Sequence, residues 1–343
     1  MRISKIVFIL LLLASQQIVA QTSIKILTEK KGVSMRGLSV PSEKVIWASG
    51  SKGNIAKSVN GGETFEWSVV KGYETRDFRA IHAFNDKEAI IVAVAAPAVV
   101  LRTIDGGENW HIVTEILDSN MFLDAIHFKD AENGWIVGDP IDNNIFLLHT
   151  KDKGATWQEV GVEYFNSSIK EGEAFFASSG TNMVHSKDAL FMVSGGMTSR
   201  LWINGYPTNI PIIQGTKTTG ANSIAISPDE QKLIIVGGDF TRDTVRQNNM
   251  LCLVQKISKG SNTKQWQKAI KYQNPNGYRS CVEFINNELV VTCGTSGVDI
   301  SKNGGQNWNL IPNQSFHVVK HQPGKKAAFF AGAGGRIGYW VAE

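Results

Sequence analysis

Seven polar residues recur at one position of a repeating strand pattern, and they are the groups in this sequence best placed to do chemistry. They are Arg36, Arg79, Asp124, Glu173, Asn222, Arg279 and His317. Each opens a short, largely apolar segment and is followed by a mostly small residue: Gly37, Ala80, Ala125, Ala174, Ser223, Ser280 and Val318. If the segments are strands converging on a common axis, small side chains answer the crowding there and the polar column rings the mouth of a central channel. Asp139 and Asp239, with Asp142, Arg242 and Arg336, fall in loops expected to open on the same face. Guanidinium groups in such a ring suit two-point contacts with carboxylates, so one reading is a site for an anionic or peptide ligand. The other is that the arginines pair with Asp124, Glu173 and neighbouring carboxylates and merely satisfy a polar channel.

Other chemistry has less support. His82 and His127 each stand three residues past the column in adjacent repeats. Without a third histidine or an H-x-H spacing they read as strand histidines, and no metal is expected. The glycine-rich run from Gly332 to Gly338 fails the dinucleotide-binding spacing and no helix follows it, so no cofactor is expected. Cys252, Cys281 and Cys293 are an odd and sparse set, which argues against a disulfide framework. A two-residue turn at Asn286-Asn287 would set Cys281 opposite Thr292, and buried free thiols are the expectation.

The elements that must position the column are strands. The innermost segments begin near Met35, Phe78, Leu123, Gly172, Gly220, Tyr278 and Phe316, at a period of about 40–50 residues that suits propeller blades. Second strands such as AIIVAVA, LIIVGGD and AAFFAGAGG are near-continuous apolar runs. Third strands lead into a recurring eight-residue pattern: SVNGGETF from Ser58, TIDGGENW from Thr103, TKDKGATW from Thr150 and SKNGGQNW from Ser301. The third-position side chains (Asn60, Asp105, Asp152, Asn303) can accept bonds from backbone N–H groups just downstream. The fifth-position glycines (Gly62, Gly107, Gly154, Gly305) suit a positive φ, and the closing aromatics (Phe65, Trp110, Trp157, Trp308) start the next strand. A structural role is expected for all twelve.

The fourth and fifth units lack the pattern, with Gly205-Tyr206-Pro207 in one and an expanded turn ending at Trp266 in the other. The seventh unit runs out after its third strand, while Ser23 to Glu29 is a strand left over at the other end. The fold expected is therefore all-β: a seven-bladed propeller over residues 21–343, one domain, closed by an N-terminal strand completing the last blade.

Residues 1–20 read as a signal peptide. Arg2 and Lys5 precede the apolar run Ile6–Ala14, and a small residue, Ala20, closes the segment. The expectation is an exported protein, periplasmic or extracellular, with no membrane span after cleavage. Losing Arg2 and Lys5 takes the formal net charge from +4 to +2. No basic run remains, which excludes nucleic acid as a partner. A monomer is expected.

The eight-residue pattern resembles the Asp-box, or bacterial neuraminidase repeat, found in outer hairpins of propeller blades. The unit from Phe122 to Val160, with Phe78 to Trp110, is similar to the repeat of the photosystem II assembly and stability factor propellers. That resemblance implies a non-catalytic binding or assembly factor with an envelope or secreted protein client, and Arg36, Arg79 and Arg279 as the positions that could match its client-binding arginines. An anionic small ligand or glycan is the other partner class. Sialidases also carry the Asp-box but resemble a six-bladed ring with an Arg-Ile-Pro motif, absent here. A glycosidase would have to use Glu173, Asp124 and Tyr278 as stand-ins. An exported oxidoreductase on a propeller is a third class, with no ligand cluster to support it.

Overall fold

The computed structural model describes residues 23–257, 264–312 and 314–342. The signal peptide expected at residues 1–20 lies outside them. Among the described residues no helix is long and apolar enough to cross a membrane.

Strand after strand pairs antiparallel with its chain neighbour to give seven four-stranded units. Units one, two, three and six are separate sheets built on the inner strands Met35–Ser39, Phe78–Ala83, Leu123–Phe128 and Cys281–Phe284. Units four and five share one larger sheet, joined where Gly195 pairs with Gly220. In the seventh unit Lys25–Thr28 is the outer strand beside Ile337–Val341, with Lys25 opposite Tyr339. The leftover N-terminal strand thus closes the ring, as the unfinished seventh unit required.

The near-continuous apolar runs are the second strands, and every residue of Ile46–Gly50, Ala89–Ala93, Val290–Gly294 and Ala327–Ala331 is buried. A strand reads that way when both of its faces are covered. Here each blade stacks on the next, and the core is a series of apolar layers between blades. Trp47, Phe78, Ile91 and Leu101 fill the layer between the first two. Phe191, Ile224, Leu233 and Leu251 fill the one between the fourth and fifth.

The four Asp-boxes are one structure built four times. In the second, Thr103 Oγ1 donates to Asp105 Oδ1 at 2.8 Å and accepts the Gly107 N–H at 3.0 Å, while Asp105 Oδ1 accepts the Asn109 N–H at 3.0 Å. Ser58, Thr150 and Ser301 make the same pair of bonds in the other three. The leading hydroxyl is therefore required as both donor and acceptor. The fifth-position glycines have φ of +88°, +92°, +72° and +88°. A β-carbon on Gly107 would sit 3.2 Å from Trp47, and on the other three it would press on Phe329, Ile90 and Ile234. Each of these lies on the second strand of the preceding blade, so the box also staples one blade to the next. In blade four, where the box is missing, Asn204 and Gly205 at φ +47° and +81° make a two-residue hairpin turn instead.

Cys281 and Cys293 lie directly opposite each other, because the hairpin turn is longer than two residues and Phe284 pairs with Val290. All three cysteines are free and buried.

Candidate functional site

The inner strands of blades one, two, three and five share an irregularity. Met35 pairs with Gly50 and Gly37 with Ser49, leaving Arg36 as an extra residue. Arg79, Asp124 and Asn222 are extra in the same way. The polar column is thus a ring of β-bulges, which push side chains out of the sheet toward the axis. In blade seven, Val318 pairs with Ala331 while the N–H of His317 also bonds to the Ala331 carbonyl.

Two members of the column stand elsewhere. In blade six it is Ser280 whose N–H bonds to the Cys293 carbonyl while Cys281 pairs with Cys293. Arg279 comes one residue too early and is fully buried against Asp299, with Nε to Oδ2 at 2.8 Å. Its remaining N–H groups reach the Tyr278 and Asn276 carbonyls and Ser296. In blade four the inner strand proper is Met183–His185, and Glu173–Ala174 is a separate short strand. Glu173 is 4% exposed and salt-bridged to Arg200, itself stacked on Trp202. Arg279 and Glu173 are therefore structural ion pairs, with no donor or acceptor left for a ligand.

Between those two short strands runs Phe175–Asn182, which crosses the channel as a plug. The Ser178 carbonyl accepts from Arg36 Nη1 at 3.1 Å, and Ser178 Oγ donates to Asn222 Oδ1 at 2.8 Å. Tyr278 Oη reaches Asn222 Oδ1 at 2.9 Å, and Ser179 Oγ donates to the Ser280 carbonyl at 2.7 Å. Asn222 and the phenol of Tyr278 are thereby occupied with the plug and with each other. Asp239 is occupied as well: although burial works against its charge, Arg242 and Thr241 hold its carboxyl down to about 2.

Above the plug a cup of about 430 Å³ remains. Arg36, Arg79, Asp124, Asp139 and His317 converge on it, with Phe122, Phe175, Phe176 and Phe240 as apolar wall. Arg36 makes one hydrogen bond among the described residues, to Ser178, and Arg79 one, from Nε to Asp77 at 2.7 Å. Both guanidinium groups keep further N–H donors. Burial and then the charge of Arg79 depress the pKa of Arg36. Burial and the surrounding arginines push His317 down to about 3, leaving a neutral imidazole. Burial moves the two carboxyls the other way. Asp124 is raised well above the carboxylate range and Asp139 to about 6. The cup has a cationic side and an acid side.

Ser280 and the aromatic wall carry no clear signal in the sequence. In blade six Ser280 and Cys281 are both small enough to follow the column, so the pattern does not choose between Arg279 and Ser280. At the other end of the channel His82 stacks on Phe128 at 4.5 Å and His127 on His185 at 5.3 Å, both depressed by burial. Among the described residues no three His, Cys, Asp or Glu side chains gather as metal ligands.

This arrangement defines an Asp-box β-propeller with a plugged channel and a charged cup on one face. Residues 67–167 match the family model described as photosynthesis system II assembly factor YCF48. The fold is similar to that of YCF48 bound to D1 peptide, at 17% identity over 92% of this chain and 96% of that one, with a TM-score of 0.61. It is also similar to YCF48 from Cyanidioschyzon merolae, at 14% identity over 93% and 99%, with a TM-score of 0.65. The WD40 β-propeller domain of Doa1 follows at 12% identity over 94% and 98%, with a TM-score of 0.57. Comparison with curated proteins finds no match. The chain is a β-propeller like the photosystem II assembly factors.

Proposed function

We propose that the protein is an exported, non-catalytic binding factor whose cup receives an anionic segment of a protein partner. The observation that carries this reading is the pair Arg36 and Arg79, whose guanidinium groups share the rim of one aromatic-walled cavity and keep unused N–H donors. A carboxylate bound there gains charge-assisted hydrogen bonds, and it relieves the repulsion between the arginines. The likeness to a propeller bound to D1 peptide supports a protein as the partner class. A hydrolytic reading is disfavoured by Glu173, whose carboxylate is consumed by Arg200.

The test is crosslinking and pull-down of the tagged mature protein from its own envelope fraction, beside Arg36→Gln/Arg79→Gln with Arg279 left intact. A discrete partner captured by the wild type and lost in the variant, at unchanged melting temperature, is the expected result. Equal capture by both sinks the reading. Cell fractionation of the full chain against one lacking residues 1–20 tests export.

A further inference from the structure

The acid side of the cup has an unusual feature. Asp124 is wholly buried, and neither carboxyl oxygen has a hydrogen-bond partner. The backbone of Ala177 comes near it without bonding geometry. Arg79 stands close enough to influence it, yet gives its Nε–H to Asp77. Asp139 accepts one bond, from the Phe175 N–H at 3.2 Å. Native interiors rarely leave a buried polar group unmet, and a binding cavity is where such a group waits for its partner. A donor that meets it must arrive in the cup that Arg36 and Arg79 also line.

We propose that Asp124, with Asp139 beside it, receives an N–H donor of the bound segment while Arg36 and Arg79 hold its anionic group, so that the cup selects an acidic residue together with its own backbone amide. This rests on the reading of the cup as an anion site. A neutral amide suits carboxyls that burial pushes toward their protonated, uncharged forms better than an ammonium group, which needs ionised partners.

Two probes of equal charge separate the ideas: acetyl-Phe-Asp methylamide, and the ester in which a malic acid residue replaces Asp and so deletes its N–H alone. Binding is followed by calorimetry on wild type, Asp124→Leu and Arg36→Gln. Wild type should prefer the amide by about fivefold, the worth of one hydrogen bond. Asp124→Leu should bind both probes alike, at the ester's affinity, and melt no lower than wild type. Arg36→Gln should weaken both while keeping the preference. Should the leucine variant not fold, the isosteric Asp124→Asn takes its place and should narrow the preference. Equal wild-type affinity for the two probes, a preference retained by the Asp124 variant, or a folded Asp124 variant that melts lower overturns the proposal. In the first case the anion-site reading stands, provided Arg36→Gln still weakens both probes. Failure of wild type to bind either probe sinks both readings, and a sialoside bound in their place assigns the cup to glycans.

Discussion

Arg279 and Arg36 look alike in the sequence and should behave oppositely when removed. Arg279 is 0% exposed, and its guanidinium bonds to the Asp299 carboxylate, two backbone carbonyls and the Ser296 hydroxyl. Asp299 is itself 0% exposed, with donors from Asn276 as its other support. Arg279→Met fills much of the space but strands a buried carboxylate, which costs about 3–5 kcal/mol. Arg279→Met/Asp299→Leu removes both charges and should recover most of the loss, because paired burial gains little over apolar packing. Arg36 makes a single bond to the plug, so Arg36→Gln should cost about 1 kcal/mol. Urea unfolding of the four proteins, read by tryptophan fluorescence, gives the comparison. A loss below about 1 kcal/mol for Arg279→Met would refute the assignment of this arginine to the core. A double variant no better than the single one would refute the account of why it is there.

Three further outcomes are expected. Burial raises the Asp139 carboxyl to about 6, so folding is favoured by its protonated form and wild-type stability should fall as pH rises from about 4 through 6. Asp139→Asn removes that fall and should gain on wild type by at most about 3 kcal/mol between pH 4 and 7.5, measured by urea unfolding at both; a constant difference contradicts it. Gly154→Ala combines a φ of +72° with a methyl pressed on Ile90 and should cost about 2–4 kcal/mol. Gly72→Ala, at φ +83° with open space around it, should cost about 1 kcal/mol, and equal melting shifts for the two would deny the stapling role of the box. Thr103→Val deletes the hydroxyl that both donates to Asp105 and accepts from Gly107, and should cost about 1–3 kcal/mol. A melting curve matching wild type would deny that role.

Local chemistry decided what could be read from the chain. An Asp-box turn is determined within eight residues, so its side chains, glycines and closing aromatics were all legible, although the leading hydroxyl's part emerged only from its bonds to both Asp105 and Gly107. Ring closure was legible because Lys25–Thr28 had no partner nearby and Ile337–Val341 lacked a neighbour. The column was harder. A bulge adds one residue to one strand, and a run such as YRSC does not reveal whether Arg279 or Ser280 occupies it. The arginine attracted the alignment by its type, and Ser280 and Cys281 are both small enough to follow the column. In blade four the segment after Glu173 passes from apolar residues to the loop-like run Ser178–Asn182, but nothing local says that it crosses the channel. Its place is fixed by bonds to Arg36, Asn222 and Ser280, none of which lies near it in the chain.

The seam between Lys25–Thr28 and Ile337–Val341 has a mechanical meaning. Because the two strands run antiparallel with Lys25 opposite Tyr339, the chain enters one and leaves the other at the same end of the seam. Opposed tension on the two termini therefore loads its hydrogen bonds one after another, as a zip, rather than all together in shear. The circle would give way first at this blade and at low force. For the same reason a short peptide could weld the two ends, and a permuted chain cut instead between blades should fold to the same circle with its weak point moved.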